Sequence, residues 1–353
     1  MNPSATNAAR PQQATMKDVA RVAGVALKTV SRVVNDEPGV SPPVRKKVKA
    51  VIAELGYRRN DSARVLRMGT THSIGFICED LGEPFVSQLI RAIESVSLEN
   101  SSMLIVAATG GNLEREQEAV RALASRQVDG LIIAPTGREQ PYLGRELANG
   151  LPVVFVDRPS LHHQVDAVLT DNHAGAQMAT RQLVKCGHRR IAFFSNADQL
   201  FTQVERIEGY RQALTAEGIA FDHALVCSAS GNPAATLASL RKMLALNEPI
   251  TAAITGDSLC TYALLRAFKV VGLHLPFIGF DDFPLADLLE PGISVIEQNP
   301  YDIGRVATQL LFRRIGGDTS PPQTIKLGTR LIKRGSGEAE LQSADGSFHT
   351  KLE

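Results

Sequence analysis

Residues 17–35 read KDVARVAGVALKTVSRVVN and contain two short helical patterns that meet at Gly24. Glycine readily adopts the left-handed backbone that a tight turn between helices requires. Ala20 is small where the two helices must approach each other. The spacing predicts a helix-turn-helix, with an ordinary helical hairpin as the alternative. Four apolar residues are expected to face the interior: Val19, Val22, Val30 and Val33.

A third helix is predicted downstream, because Ser41 precedes Pro42 and proline fits the first turn of a helix. It should end near Leu55, with Gly56 closing it. Residues 1–70 carry 13 Lys and Arg against 5 Asp and Glu, a net charge of +8, whereas the remainder carries −7. Such asymmetry indicates that this end of the chain meets a polyanion, although a solvated basic face is the simpler alternative.

From Ser73 onward, short apolar runs alternate with helix-length segments. Continuously apolar strands separated by helices are typical of parallel sheets covered on both faces. Two successive sets of about four strands predict an α/β core of two doubly wound lobes, with the ligand site at the carboxyl ends of the strands. The runs are SIGFIC (73–78), MLIVAA (103–108), GLIIA (130–134), PVVFV (152–156), RIAFF (190–194), LVC (225–227), AAIT (252–255) and FIGF (277–280).

Composition narrows the class of protein further. The chain has 353 residues and 44% hydrophobic residues, enough for two or three buried cores. No apolar run approaches the roughly 18 residues of a membrane helix, and the N-terminus lacks the apolar region of a secretory signal. We therefore expect a cytoplasmic protein that is not associated with membranes. Its four cysteines are widely spaced, so we expect no metal and no cofactor.

Enzymatic motifs are weak or missing. The sequence contains no GxGxxG after the first strand, no GxSxG, no P-loop and no HExxH. An enzyme on a doubly wound fold therefore stays a minor alternative. A binding protein for sugar uptake, or a cytoplasmic sugar-binding protein, is a stronger one, but the N-terminal helices count against it.

Three segments together carry a specific resemblance: KDVARVAGVALKTVSRVVN, VSPPVRKKVKAVIAELGYRRN and ARVLRMGTTHSIGFI. They resemble the helix-turn-helix, third helix and hinge of the lactose-repressor (LacI) family of bacterial transcription regulators. The resemblance continues through VDRP, TDNHAG, GHRRIAF, RIEGYRQAL, GDSL and IGFDD to LIKRGSGE, and so covers about residues 16–337.

The resemblance implies a fold and a domain organisation. The fold is an N-terminal all-α helix-turn-helix domain followed by a two-lobed, doubly wound α/β core like that of periplasmic binding proteins. The expected divisions are a disordered tail (1–15), the DNA-binding domain (16–60), a hinge helix (61–70), the core (73–337) and a disordered tail (338–353). Within the core we expect one lobe from 73–170 with 299–330, and the other from 171–297.

The resemblance also implies a function. Members of the family bind near-palindromic, double-stranded operator DNA as homodimers, which makes this chain a nucleoid-associated regulator. We expect a repressor that a small polar effector, such as a sugar or sugar derivative, releases from DNA. A corepressor-type regulator that responds to a nucleobase remains an alternative. Tetramer-forming C-terminal heptads are not evident, and the sequence leaves open whether the assembly exceeds a dimer.

Several residues match the family's DNA-binding positions. Lys28 and Arg32 can donate to guanine, and Leu27 can pack on a thymine methyl. Ala26 stands where relatives usually carry a helix-capping serine, which puts one phosphate contact in doubt. The remaining expected DNA contacts are the phosphate-facing Thr29 and Ser31, the helix-end Asn35, and two hinge residues, Arg64 near phosphate and Leu66 as a minor-groove wedge.

The expected effector site comes from two sources. Asp80, Asp157, Arg158, Ser195 and Asp281 follow apolar runs directly or within two residues, and Phe85 opens the next helix. Arg206, Asp157 and Asp281 match cleft positions of the family. Gln298 is a weaker candidate, on the return crossing between the lobes. Carboxylates, an arginine and an aromatic ring suit a polyhydroxylated ligand. We expect Asp171 and Asp257 to cap helices instead. The candidates are Asp80, Phe85, Asp157, Arg158, Ser195, Arg206, Asp281 and Gln298.

Overall fold

The computed structural model describes residues 14–57, 70–137, 139–196, 200–228 and 231–341. The chain divides into two compact units between Thr71 and His72. Within the described ranges, no helix is both long enough and apolar enough to cross a membrane.

Three helices form the first unit: α1 (Met16–Ala23), α2 (Leu27–Val34) and α3 (Pro42–Glu54). Thr15 caps α1 in a reciprocal capping box with Asp18, so the predicted tail 1–15 extends too far and Thr15 belongs to the helix. Gly24 ends α1 with a left-handed φ of 63°. This turn lets α2 fold back across α1, as the glycine spacing predicts.

The interior of this unit differs from the prediction at one position. Val22 is 42% exposed, and Ala23 takes the expected place in the core. The reason is helical periodicity, because Ala23 lies four residues after Val19 and shares its face. The loop after α2 is held by Arg45, which contacts Asp36 at 2.7 Å and the Glu37 carbonyl at 2.7 Å. The buried apolar residues are Val19, Ala23, Val30, Val33, Val48 and Val51.

The second unit contains two lobes, each built on a six-stranded sheet. The first sheet is parallel throughout and has the order β11-β5-β4-β3-β1-β2. Its strands are β1 (Ser73–Cys78), β2 (Met103–Ala108), β3 (Gly130–Ile133), β4 (Val153–Val156), β5 (Asp166–Thr170) and β11 (Thr324–Leu327). Its helices are α4 (Pro84–Glu99), α5 (Leu113–Ser125), α6 (Gly144–Ala148) and α11 (Pro300–Ile315), with a 3₁₀ turn at Pro141–Leu143.

The second sheet has the order β12-β10-β9-β8-β6-β7, in which only β12 runs antiparallel to its neighbour among the described strands. Its strands are β6 (Ile191–Phe194), β7 (Val226–Cys227), β8 (Ala252–Thr255), β9 (Phe277–Phe280), β10 (Ser294–Glu297) and β12 (Arg330–Ile332). Its helices are α7 (Asn172–Lys185), α8 (Phe201–Ala216), α9 (Pro233–Leu244) and α10 (Ser258–Val271), with a 3₁₀ turn at His223–Leu225.

The prediction of about four strands in each lobe is wrong, because each sheet has six strands within the part of the chain that the structure describes. The missed strands are β5, β10, β11 and β12. Polar residues interrupt their apolar runs, and β11 and β12 are half-exposed edge strands. These four strands flank the points where the chain crosses between the lobes, after β5, after β10 and after β11. Arg330 accordingly pairs with Glu297 in the second sheet, not with the first lobe as the predicted boundary implied.

The predicted C-terminal tail is also too long, since residues 338–341 lie against the second lobe. Glu338 accepts a hydrogen bond from Ser294 at 2.7 Å. The Leu341 amide donates to the Cys186 carbonyl at 2.9 Å, and a ring nitrogen of His188 lies 3.0 Å from the Ala339 carbonyl. The rest of both predicted tails lies outside the described residues.

Candidate functional site

Two aspartates occupy matching positions in the two lobes. Asp157 directly follows β4 and Asp281 directly follows β9, so both stand at carboxyl ends of parallel strands. Both have left-handed backbones, with φ of 67° and 70°, and both are 8% exposed. A left-handed backbone is uncommon outside glycine and clusters at functional sites. The fold thus places a buried carboxylate on each side of the cleft between the lobes.

Asp281 is a titratable group held by neighbours of its own lobe. Gln298 donates from Nε2 to its Oδ1. Burial raises the pKa of Asp281 to about 6, while the positive charge of Arg206 and the Gln298 hydrogen bond oppose the rise. The charges of Asp257 and Asp157 raise it further. The pKa of Asp281 is raised because the cost of burying its charge exceeds what Arg206 and Gln298 offset.

Arg206 is buried in the second lobe, where two hydrogen bonds hold its guanidinium. Its Nε donates to Asn172 Oδ1 at 2.7 Å, and its Nη1 donates to the Gly256 carbonyl. The guanidinium carbon lies 3.8 Å from the centre of the Phe280 ring. These contacts fix the cation beside Asp281, where it can present donors to a ligand.

Arg158 performs a similar role in the first lobe. Its Nη2 lies 3.2 Å from Glu79 Oε2, its Nε lies 3.2 Å from Asp157 Oδ2, and its Nη1 donates to the Pro135 carbonyl at 2.8 Å. The arginine thereby ties together the chain ends that follow β1, β3 and β4. It positions Asp157 and Glu79 at the cleft.

A hydrogen-bonded chain behind Arg206 contains Ser195, which the sequence analysis named, and Gln203, which it missed. Ser195 is fully buried and donates to Gln203 Oε1 at 3.1 Å. Gln203 in turn donates to the Gly256 carbonyl at 3.3 Å and to Asp257 Oδ2 at 3.2 Å. A β-carbon at position 256 would collide with Gln203 Oε1. Gln203 therefore occupies the space that a side chain at position 256 would need.

Glu83 is a second residue that the sequence analysis missed. It is the N-cap residue of α4, and its side chain makes no capping hydrogen bond. Burial raises the pKa of Glu83 to about 8, and the charges of Asp257, Glu79, Asp281 and Asp157 add to the rise. Because these four carboxylates come from both lobes, Glu83 lies within the electrostatic reach of each lobe. One feature of the sequence could have identified Glu83. It stands just before Pro84, at the start of the helix that follows β1.

A cavity of about 310 Å³ is lined in part by Phe85, Asp281 and Gln298, with the Asp282–Arg334 ion pair in the same lining. This volume is at the small end of the range for ligand pockets. Three of the predicted effector residues therefore share this cavity, and Asp80 is not one of them. Asp80 is exposed and accepts from the Gly82 amide at 2.9 Å, which makes it a turn residue.

The two residues expected to cap helices do so. Asp171 accepts from the Ala174 amide at 3.1 Å, and Asp257 accepts from the Cys260 amide at 2.8 Å. Asp257 also contacts Gln203, so it lies closer to the cleft than a capping role alone requires.

The DNA-reading candidates lie on α2. Leu27 and Lys28 are exposed, and Thr29, Ser31, Arg32 and Asn35 are partly exposed. Asn35 donates to Ser31 Oγ at 3.3 Å, so these two side chains constrain each other. Ala26 makes no side-chain cap, as expected from its methyl group. Arg64 and Leu66 lie outside the described residues.

Comparisons with known proteins agree with this geometry. Residues 71–271 match the family described as "Periplasmic binding proteins and sugar binding domain of LacI family", which is more than half of the chain. Residues 15–60 match "Bacterial regulatory proteins, lacI family". The chain belongs to the LacI family. The predicted family, the fold class and the function as a DNA-binding transcriptional regulator are thereby confirmed.

Individual relatives of this LacI-family regulator extend over nearly the whole chain. The HTH-type transcriptional regulator CelR of Thermobifida fusca is 32% identical over 339 residues, which cover 93% of this chain and 99% of CelR. The ribose operon repressor of Escherichia coli K12 is 31% identical over 330 residues, covering 92% and 99%.

Solved structures show the same architecture. A CelR–cellobiose complex superimposes with a TM-score of 0.70 at 30% identity, covering 93% of this chain and all of that one. The lac repressor dimer bound to operator and an anti-inducer gives a TM-score of 0.79 at 24% identity, covering 92% and 99%, and this likeness concerns the fold alone.

Proposed function

We propose that this regulator is a repressor that binds a near-palindromic operator as a homodimer and is released by a small polyhydroxylated effector. Lys28 and Arg32 read guanines, Leu27 packs on a thymine methyl, and Thr29, Ser31 and Asn35 contact the neighbouring backbone. The effector lies between the lobes, against Asp157, Arg206 and Asp281. No catalytic step is assigned to this site.

One observation carries the effector assignment: a buried carboxylate from each lobe faces the cleft beside a guanidinium that is fixed by its own hydrogen bonds. Carboxylates accept from hydroxyl groups, the guanidinium donates to them, and Phe85 can cover an apolar ring face. The cellobiose complex of a relative with 30% identity supports a sugar-type ligand.

Effector and operator should be negatively coupled. If the effector closes the two lobes, it favours a dimer in which the DNA-binding units no longer fit both half-sites. By linkage, operator DNA must weaken effector binding by the same factor that the effector weakens operator binding.

The proposal is tested by measuring fluorescence anisotropy of an operator duplex bound to the full-length protein. Pentoses, hexoses and disaccharides, including ribose and cellobiose, are added in turn. We expect at least one of them to lower operator affinity by tenfold or more. If a nucleobase tightens operator binding, the protein is regulated by a corepressor and not by an inducer. If no sugar changes operator affinity, the effector assignment is contradicted.

The proposed hinge contact makes a separate prediction. Leu66→Ala should weaken binding to the operator much more than binding to random duplex, because wedging is needed only at a kinked specific site. Competition titrations with the two duplexes measure both affinities. Arg64→Ala is the comparison, since losing a phosphate contact weakens both about equally. An equal loss for Leu66→Ala would contradict the wedge.

A further inference from the structure

Each lobe has two apolar cores, one on each face of its sheet. In three of these cores, the buried residues and the partly buried side chains packed against them all come from one lobe. The fourth core lies on the α5 face of the first sheet and contains Leu143, Phe155 and Leu169. Phe201 of the second lobe packs against it. Within the described residues, Phe201 is the single apolar side chain that packs against a core of the other lobe.

Polar contacts between the lobes are confined to the places where the chain crosses, after β5, after β10 and after β11. There the Asp171 amide donates to the Leu327 carbonyl at 2.8 Å, and Lys326 pairs with Asp171 at 3.4 Å. Away from the crossings, no hydrogen bond or ion pair between described residues joins the two lobes. The spacing of the lobes therefore depends on the crossings and on Phe201.

The Phe201 contact and the second crossing engage opposite faces of the first sheet. That crossing leads directly into α11, which packs on the other face of the sheet through Ile303 and Ala307. Closure of two lobes turns about a few residues at the ends of elements. An apolar contact on the face opposite α11 resists such a turn, because the turn would separate Phe201 from the first-lobe core.

The helix that carries this contact also carries the cation of the cleft. Phe201 is the first residue of α8, and Arg206 follows five residues later, about 7.5 Å along the helix axis. Asp157 belongs to the first lobe, so the distance between Arg206 and Asp157 changes when α8 moves relative to that lobe. The contact of Phe201 thereby fixes how far apart the two halves of the proposed effector site stand.

We propose that Phe201 is an apolar latch, a positioning residue that holds the two lobes together when no effector is bound. This inference goes beyond the proposed function, since the latch acts in the protein without effector. A regulatory consequence rests on the proposed function. Because lobes that are already held close need less binding energy to close, the latch lowers the effector concentration that releases the operator.

The first test measures the distance between the lobes without effector, by pulsed electron resonance on the full-length protein. Spin labels are attached at two exposed positions, through Glu118→Cys in α5 and Lys242→Cys in α9. Cys186→Ser removes the half-exposed cysteine, and the other three cysteines are buried. Labelled chain is mixed with excess unlabelled chain of the same variant, so that most dimers carry one labelled chain.

Truncation of the latch should let the lobes separate. We expect Phe201→Ala to lengthen the distance between the labels by more than about 2 Å, the scale of a domain rearrangement. Phe201→Leu keeps an apolar contact and should stay close to the wild-type distance. An unchanged distance in Phe201→Ala would show that the ring does not hold the lobes.

Phe221→Ala is the matched control for a general loss of packing. Phe221 is a partly buried phenylalanine of the second lobe, and it packs against a core of its own lobe. Its truncation should leave the distance between the labels at the wild-type value. If Phe221→Ala lengthens the distance as much as Phe201→Ala does, the proposal is wrong.

The second test measures operator release by anisotropy, while ribose, cellobiose and the other sugars of the screen are added. Phe201→Ala should bind the operator within threefold of the wild-type affinity and need at least tenfold more sugar for release. If both proteins need the same concentration, the regulatory consequence is wrong. If no sugar releases the operator from the wild-type protein, the proposed effector fails, and the distance measurement still decides whether Phe201 is a latch.

Discussion

Arg206 illustrates how much of the effector site depends on single residues. Arg206→Ala should abolish the response to effector and leave operator affinity unchanged, because the contacts of its guanidinium within the described residues are to the second lobe alone. Anisotropy titrations of the operator with and without effector measure both quantities. A loss of operator affinity together with the response would contradict this role.

Arg206→Lys is the companion variant, since truncation removes the Arg206 donor from Asn172 Oδ1 and leaves the Gly256 carbonyl with the Gln203 hydrogen bond. Lysine keeps the charge but cannot reproduce the two separate contacts of the guanidinium. We expect a folded protein with a weakened, not absent, response. A full response would mean that charge alone suffices at this position.

The raised pKa of Asp281 predicts a gain in stability when its charge is removed. A carboxyl whose pKa is higher in the folded state destabilises that state above the folded pKa, and the penalty shrinks as pH falls toward the unfolded value. With a shift from 3.8 to about 6, Asp281→Asn should raise the free energy of unfolding by about 3 kcal/mol at pH 7.5 and about half of that at pH 5.

Urea unfolding at both pH values checks this prediction. Asparagine tolerates the left-handed backbone at position 281 and keeps an acceptor for Gln298. Glu94→Gln, on the exposed face of α4, should change stability at neither pH. An unchanged or lower stability of Asp281→Asn at pH 7.5 would show that the carboxylate is stabilised by groups other than those described.

At the residue scale, sequence reasoning located side chains at strand ends and missed the helix residues that support them. Asp157 and Asp281 stand directly after apolar runs, so they can be identified from the sequence alone. Asn172 becomes relevant because α7 and α8 pack together and bring it to Arg206, and Gln203 because α8 lies beside the segments that carry Ser195, Gly256 and Asp257. Glu83 was missed because a glutamate before a helix normally signals only its start.

At the element scale, the recognition helix α2 begins without a side-chain cap. Ala26 has an extended backbone with φ of −66° and ψ of 147°, in which a serine can accept from the first turn. Ala26→Ser should therefore stabilise the start of α2 by about 1 kcal/mol. Hydrogen exchange of the full-length chain should show α2 amides exchanging about fivefold more slowly.

Thr15→Ala is the matched control on the neighbouring helix. It removes a capping box that the structure contains and should speed exchange in α1 by a similar factor. If the exchange rates of the α2 amides are unchanged in Ala26→Ser, the amide groups at the start of that helix are already hydrogen-bonded to water.

Strands with uninterrupted apolar runs were predictable, including the edge strands β2 and β7, and the other four were not. The buried interior strands β5 and β10 were missed because polar residues at their ends shorten their apolar runs. The edge strand β11 alternates exposed and half-buried residues over four positions, and β12 has one exposed and two half-buried residues. So short a pattern does not stand out from a loop without its partner strand.

At the scale of the whole molecule, the chain joins a basic helical unit to a two-lobed core with an acidic cleft. The sequence predicts this division, because residues 1–70 carry net positive charge and the remainder carries net negative charge. Pairing of distant segments, such as β5 with β11 and β10 with β12, decides which residues face the cleft. No local sequence pattern predicts such contacts between residues far apart in the chain.

The most direct test of operator recognition by a dimer is selection of bound duplexes from a random DNA pool by the full-length protein at moderate salt. We predict enrichment of a near-palindrome with a kinkable centre, as two copies of α2 with two hinges require. Recovery of no motif, or of one half-site without symmetry, would contradict a dimeric regulator that reads DNA in its effector-free state.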